Sequence, residues 1–211
     1  MKHYSIAEIK GWSRIYRANF VNSLSGFKPV SLIASINKEG QPNLGIFSNI
    51  IHLGADPALI GFINRPKEAA PHTINNIETT AFYTINHILP AFVEKAHQTS
   101  AKYPQDVNEF DAVGLTAIYK DGFMVPYVAE SHVQMALSLS EIIPLSNGTF
   151  LVVGSLEHAY VNESAVAQDG FIELAKEASL VSLGLDAYYT TSPLQRFAYA
   201  KPDQPLSEVP F

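Results

Sequence analysis

Stretches rich in β-forming residues follow one another along most of this chain, and several neighbours are joined by short turns. The run over 29–37 turns at 38–42 and returns from Leu44, and Asn147-Gly148 is a strong hairpin signal between 131–144 and 149–161. Parallel neighbours would need crossovers of a dozen residues or more. The six or seven candidate strands therefore predict a mainly β, antiparallel protein with appended helices. A small barrel is the favoured architecture, although periodicity alone also fits a sandwich.

The other predicted elements fit between these hairpins. Ala58 to Asn64 is apolar at nearly every position, so we expect a strand that is buried on both faces. Apolar residues at three- and four-residue steps predict a surface helix over 5–22, with a break allowed at Gly11. The remaining predicted strands are 44–51, 81–86 and a short one entered through 110–116, and the remaining predicted helices are 71–78, 90–101 and 171–176.

Charged side chains are scarce in this sequence. The 14 basic and 20 acidic residues make up 16% of the 211 residues, whereas an average protein has about 25%. Fewer charges leave less surface that water solvates well. We therefore expect a second copy of the chain to cover a substantial apolar patch.

The charge and hydropathy patterns also argue against two classes of partner. A net charge of −6 disfavours nucleic acid, whose binding depends on many contacts from Lys and Arg to phosphate. The N-terminus has no apolar signal-peptide core, and the longest apolar runs are far shorter than the roughly 20 residues that span a bilayer. We expect a cytoplasmic protein without a membrane partner.

Several kinds of catalytic chemistry are missing from the sequence. With no cysteine there is no thiol nucleophile, zinc ribbon or iron–sulfur cluster held by the chain. The two common Gly-rich phosphate motifs and the G-x-S-x-G serine motif do not occur, and no two histidines lie three or four residues apart. We predict no metal site, and any redox chemistry must come from a borrowed cofactor.

Small polar residues interrupt one predicted strand near its end. Ser48 and Asn49 follow Phe47, and their position leaves backbone groups available to a planar, hydrogen-bonding ligand. They could equally do no more than end the strand. From the residues alone, both interpretations stay open.

A second group of residues has the properties of an anion site. Arg65 and Lys67 precede His72 and Thr73 at a predicted helix start, where exposed N–H groups and the positive end of the helix dipole favour a phosphate. A solvated basic turn with a threonine cap is the other interpretation. Together with Ser48 and Asn49, the group could hold the two ends of one elongated ligand.

The order of these segments resembles the flavin reductase-like family, the flavoredoxin-type FMN-binding split barrels. The resemblance extends from about Phe27 to Tyr189 and rests on the ordered series of segments, because none of them is diagnostic alone. The matching segments are 27–33, 40–49, 56–62, 64–66, 72–77, 110–116, 129–131 and 184–189.

The resemblance implies an FMN-binding split β-barrel, with FMN in a groove at a homodimer interface. It divides the chain into an N-terminal helical segment (1–26), a flavin reductase-like domain (27–190) and a C-terminal tail (191–211). It implies that Ser48, Asn49 and Ile50 face the flavin ring, and it places Arg65, Lys67, His72 and Thr73 around the phosphate. Family members often carry Asp where His72 stands, and a second proline where Ala58 stands.

The activity that the resemblance implies is reduction of flavin by a small-molecule electron donor, NADH or NADPH, through hydride transfer to flavin N5. Because the flavin ring performs this chemistry, no side chain is predicted to be catalytic. A flavoredoxin-like electron carrier and a non-catalytic, ligand-binding split barrel are the alternatives. The sequence shows no nicotinamide site that would separate the first two.

Overall fold

The computed structural model describes residues 1–69 and 71–211, and within them the chain forms short helices and a large antiparallel sheet. The α-helices are α1 (Ile6–Gly11), α2 (Arg14–Leu24), α3 (Pro71–Thr80), α4 (Val93–Gln98) and α5 (Glu109–Val113). The strands are β1 (Lys28–Pro29), β2 (Ser31–Ile36), β3 (Pro42–Phe47), β4 (Ile50–Ala55), β5 (Ala58–Asn64), β6 (Phe82–His87), β7 (Ala117–Ile118), β8 (Tyr127–Val128), β9 (Gln134–Pro144), β10 (Phe150–Tyr160), β11 (Val181–Leu183) and β12 (Ala187–Tyr189). Two 3₁₀ turns lie at Pro90–Phe92 and Glu163–Ala165.

Seven strands form the main sheet, in the order β3-β2-β6-β9-β10-β5-β4, and each pairs antiparallel with its neighbours. Both predicted hairpins are confirmed, since Ile36 pairs with Pro42 and Phe150 pairs with Pro144. The mainly β, antiparallel prediction with appended helices is therefore correct. Two small sheets, β1-β11-β12 and β7-β8, accompany the large one.

The single strand predicted over 44–51 is wrong, because the structure divides it into two strands on opposite edges of the sheet. Strand β3 ends at Phe47 and β4 begins at Ile50, so only Ser48 and Asn49 connect them. Three virtual Cα–Cα bonds span at most about 11 Å. The two edges must therefore approach each other at this connector, which curls the sheet into an open barrel.

Strand β2 carries the two hydrophobic cores, because all six of its residues are buried and their side chains alternate between its faces. Leu32, Ala34 and Ile36 enter an outer core, which also contains apolar residues from the 88–128 segment. Ile33 points the other way, into an inner core inside the curled sheet. The strand buried on both faces is thus β2.

Strand β5, for which burial on both faces is predicted, is only partly buried on each. Phe62 is completely buried in the inner core, whereas Leu59, Ile60 and Ile63 are half-buried. One prediction of element type is wrong, because 171–176 forms turns rather than a helix. The 110–116 segment does lead into a short strand, β7, but it begins with helix α5, which Asn108 caps and Gly114 ends at a positive φ of 70°.

Helix α3 closes the inner core, and this position matters for the site. Its Ile74 and Ile77 are fully buried among the residues of that core. Asn76, on the same helix, donates from Nδ2 to Oγ of Ser35 on β2 at 3.1 Å. Apolar packing and this buried hydrogen bond together fix the helix against β2 and β3.

The N-terminal segment forms two helices, α1 and α2, which are separated at Trp12 and Ser13. In the part of the chain that the structure describes, neither of them contains a buried residue. No described helix combines the length and apolar character needed to cross a membrane.

Candidate functional site

The connector between β3 and β4 lies where the open barrel is split. The ring of Phe47 packs edge-on against that of Phe62 on β5, with 5.0 Å between the ring centroids. Ile50, which pairs with Phe62, also contacts the inner core. Ser48 and Asn49 are half-buried between these anchors, and their side chains form no hydrogen bond within residues 1–69 and 71–211.

Strand β3 presents backbone polar groups at this split. The N–H of Leu44 donates to Oε2 of Glu109 at 3.1 Å, so it points away from β2. In an antiparallel pair this direction alternates along the strand. The N–H and C=O of Ile46 therefore also point away from β2, and a hydrogen-bonding edge runs up to Ser48.

The N-terminus of α3 lies against the other end of β3. Thr73 is buried, and its Oγ1 accepts a hydrogen bond from Nδ2 of Asn43 at 3.1 Å. Pro71 is the first helical residue, and the N–H groups of His72 and Thr73 have no acceptor within the helix. These N–H groups and the helix dipole favour an anion at this point.

A buried carboxylate lies close to this helix start. Glu109 of α5 is buried, and its desolvation raises the pKa of the carboxyl above its ordinary value. Hydrogen bonds from the backbone N–H groups of Glu109 and Leu44, and the electrostatic interaction with His72, counteract part of that rise in the pKa. His72 and Glu109 therefore lie within electrostatic range of each other, beside Thr73.

The two cations of the predicted anion site are in different situations. Arg65 directly follows β5 and is exposed, and within the described chain its guanidinium forms no ion pair. Lys67 binds both carboxylate oxygens of Glu78 at 2.6 Å. Glu78 is five residues beyond Thr73, about 7.5 Å along the helix axis. The charge of Lys67 is thus partly neutralised and held toward the C-terminal half of α3.

The predicted site residues therefore form two groups at the two ends of β3. Ser48, Asn49 and Ile50 lie at the connector, while His72 and Thr73 lie at the start of α3. Oγ1 of Thr73 lies beside both Asn43 and Gly45, and the three residues from Gly45 to Ser48 span about 10 Å along the strand. That separation suits an elongated ligand that has a planar, hydrogen-bonding ring at one end and an anionic group at the other.

Two residues of this region escaped the sequence analysis, Asn43 and Glu109. Asn108 and Gly114 are helix-cap signals that could have identified α5 and so placed Glu109 in a helical first turn. No local signal pairs Glu109 with Leu44, or Asn43 with Thr73, because 65 and 30 residues separate the partners.

The donor set suits an anionic ligand that accepts hydrogen bonds. It combines backbone N–H groups, a threonine hydroxyl, an exposed guanidinium and a strand edge. Among the described residues, no three His, Asp or Glu side chains are grouped closely enough to hold a metal ion.

A sequence profile and a solved structure indicate the same protein family for this chain. The sequence profile described as "Flavin reductase like domain" matches residues 27–175. A crystal structure from Shewanella frigidimarina NCIMB 400, of a protein provisionally assigned as a flavin reductase with a split barrel domain, is 44% identical in sequence. It superimposes with a TM-score of 0.91 over 95% of this chain and 100% of that one.

More distant proteins are similar in structure or in sequence. The 2-nitrobenzoate 2-nitroreductase NbaA of Pseudomonas fluorescens is 20% identical, with a TM-score of 0.80 over 97% of this chain and 98% of that one. An uncharacterised protein of Aquifex aeolicus is 26% identical over 120 residues, which make up 56% of this chain and 61% of that protein. The predicted split-barrel fold is confirmed by these similarities.

Proposed function

The chain belongs to the flavin reductase-like domain family, and from this premise we propose that it binds FMN and acts as an oxidoreductase that takes electrons from NADH or NADPH. The observation that best supports the proposal is the pairing of a split strand edge at Ser48 and Asn49 with a helix N-terminus at the other end of the same strand. The 44% identity to a protein provisionally assigned as a flavin reductase supports the same class of chemistry.

The phosphate of FMN would bind at the start of α3. A threonine hydroxyl has one donor hydrogen and two acceptor lone pairs. Because Asn43 donates to Oγ1 of Thr73, the hydroxyl hydrogen of Thr73 remains available to donate to a phosphate oxygen. The N–H groups of His72 and Thr73 add two donors, and Arg65 adds a charged one. Lys67 contributes less, because Glu78 already binds its ammonium group.

The isoalloxazine ring would lie against the connector. Ser48 and Asn49 provide polar groups without a side-chain partner in the described chain, and the neighbouring Ile50 and Phe47 provide apolar surface. When bound, FMN supplies hydride and electron transfer, so the residues of the chain bind and orient it and exclude water. We assign no side chain as catalytic.

We also propose that two copies of the chain form a homodimer, with the flavin groove at their interface. Ile51 and Leu53 on the edge strand β4 are exposed, and they lie within four residues of the connector. Exposed apolar residues on a sheet edge are a site of association. A second copy packed here would cover them and shield the groove, and it would account for the scarcity of charged residues.

An anaerobic titration tests the proposed activity. The purified protein, saturated with FMN, is mixed with NADH or NADPH, and the flavin absorbance near 450 nm is followed. Rapid bleaching at substoichiometric protein with excess free FMN supports the reductase. Tight FMN binding with bleaching no faster than that of free FMN identifies an electron carrier instead. Failure to bind FMN in a fluorescence titration contradicts both the reductase and the electron carrier. The remaining alternative is then a non-catalytic split barrel that binds some other planar anion.

A further inference from the structure

We propose that residues 1–26, here called the arm, dock against the body of a second copy of the chain, the body being residues 27–211. The inference rests on the two-copy assembly proposed above, and it adds that the arm is an element that contacts the partner. It follows from the internal order of the arm, the way it leaves its own body, the distribution of its apolar residues and its charge.

The arm is a structured unit with its own aromatic cluster. Tyr4, Trp12, Tyr16 and Phe20 contact one another edge-on, with ring centroids 4.9 to 5.5 Å apart. The hydroxyl of Ser5 caps α1 by accepting from the N–H of Glu8. A segment that lacked a docking surface would gain little from such preorganisation, since ordering the chain costs conformational entropy.

The arm is fixed to its own body mainly at its base. The Nζ of Lys28 donates to the carbonyls of Asn22 and Gly26 and to Oγ of Ser25, which ties the end of α2 to β1. Beyond this base, in the described chain, neither α1 nor α2 buries a residue. The arm therefore packs little against its own body.

Large apolar side chains are exposed on several sides of α2. Ile15, Tyr16, Val21 and Leu24 have between 49% and 75% of their surface in contact with solvent. At 100° per residue, Leu24 lies about 180° around the helix from Ile15, and Tyr16 and Val21 lie on opposite flanks.

This distribution identifies the kind of surface that covers α2. A helix lying on a membrane has one apolar side and one polar side, and an 11-residue helix is too short to span a bilayer. Apolar residues that are exposed on several sides of a helix are normally covered by protein. The arm thus requires a protein surface that wraps more than one of its sides.

Charge indicates which protein supplies that surface. The arm carries four of the 14 basic residues but only Glu8 of the 20 acidic ones, so its formal charge is +3 and that of the body is −9. An acidic body therefore attracts a basic arm. Because the arm's own body holds it only at the base, a second copy supplies the complementary surface.

Substitutions at exposed positions test this inference without disturbing the fold. The dimer dissociation constant is measured by analytical ultracentrifugation for the FMN-saturated wild type and for Ile15→Glu and Leu24→Glu. Leu194→Glu is the matched control, because Leu194 is 92% exposed and lies in the C-terminal tail. We expect each arm variant to dissociate at least roughly tenfold more readily, the effect of losing one buried aliphatic anchor. The control should match the wild type.

Trp12, the only tryptophan in the chain, gives an independent readout of the same docking. Its quenching by acrylamide should be weaker in the wild-type dimer than after dilution to monomers, and the arm variants should lose this difference. If the arm substitutions change neither the dimer dissociation constant nor the quenching of Trp12, the inference is overturned, but the two-copy assembly remains supported. If the wild-type protein is monomeric, both the docking of the arm and the two-copy assembly are overturned. The FMN titration tests the flavin proposal separately. Co-sedimentation of monomers with anionic lipid vesicles, lost in the arm variants, would identify a membrane as the occupant and also overturn the inference.

Discussion

Replacement of Arg65 by alanine is the sharpest test of the phosphate end of the proposed flavin site. Arg65 follows β5 directly and is exposed, without an ion pair among the described residues. Truncating it leaves no carboxylate unpaired and removes no core packing. Its whole effect on FMN binding should therefore come from the lost interaction with the phosphate.

The expected size of that effect follows from the chemistry of the contact. Hydrogen bonds to charged groups contribute about 1.5–3 kcal/mol, which corresponds to an FMN dissociation constant about 10- to 150-fold higher in Arg65→Ala. Lys67→Ala makes an informative contrast, because Lys67 already binds both oxygens of Glu78 at 2.6 Å. Its removal should raise the dissociation constant by less than about threefold, the scale of an exposed, screened charge.

Fluorescence titration of FMN at one fixed ionic strength measures all of these constants. Lys201→Ala is the control for loss of a positive charge, since Lys201 is an exposed cation in the C-terminal tail, outside the proposed flavin site. The reasoning is refuted if Arg65→Ala binds FMN within twofold of the wild type. It is also refuted if Lys67→Ala loses more affinity than Arg65→Ala, because the ion pair with Glu78 would then not restrain Lys67.

Two further predictions concern stability. A Cβ on Gly154 would lie 2.9 Å from Cζ of the fully buried Tyr83 and 3.1 Å from Cβ of Leu137, so Gly154→Ala should lower the free energy of unfolding in urea by about 1–3 kcal/mol. Gly11→Ala, which meets nothing within 4 Å, is its control, and equal stability of the two variants would contradict the packing argument. Burial lowers the pKa of His87 to about 4, so between about pH 6.5 and pH 4 only the unfolded chain takes up a proton at this residue. As the pH is lowered over this range, the free energy of unfolding of the wild type should therefore fall by up to about 3 kcal/mol more than that of His87→Gln. Parallel pH profiles of the two proteins would show that the pKa of His87 is not lowered by folding.

Local sequence signals predicted elements whose partners lie close in the chain. The β2–β3 and β9–β10 hairpins follow from turn residues at 38–42 and 146–148 and from β-rich runs on either side. Helix α3 follows from its apolar spacing and its N-terminal residues. In each case the stabilising contacts lie within one turn or one hairpin, so composition and spacing suffice.

The β3–β4 junction shows where this reasoning stops. Leu44 to Ile51 is β-rich throughout, and nothing within it reveals that Phe47 and Ile50 belong to opposite edges of the sheet. Their separation depends on five intervening strands, four of which come later in the chain. Likewise, the apolar residues of the 110–116 segment do not reveal helix α5, whose local signals are the caps at Asn108 and Gly114.

The sequence by itself determined the antiparallel β class, the main hairpins and the residue types of the proposed flavin site, because these depend on contacts between neighbours in the chain. Only the tertiary structure decided that Ser48 and Asn49 bridge two sheet edges, that Asn43 orients Thr73, that Glu109 holds the backbone of β3 and that Glu78 restrains Lys67. The bridge depends on how the whole sheet curls, and the three side-chain contacts join residues from 11 to 65 positions apart. Such contacts form only when the closing of the barrel and the packing of α3 and α5 bring distant segments together.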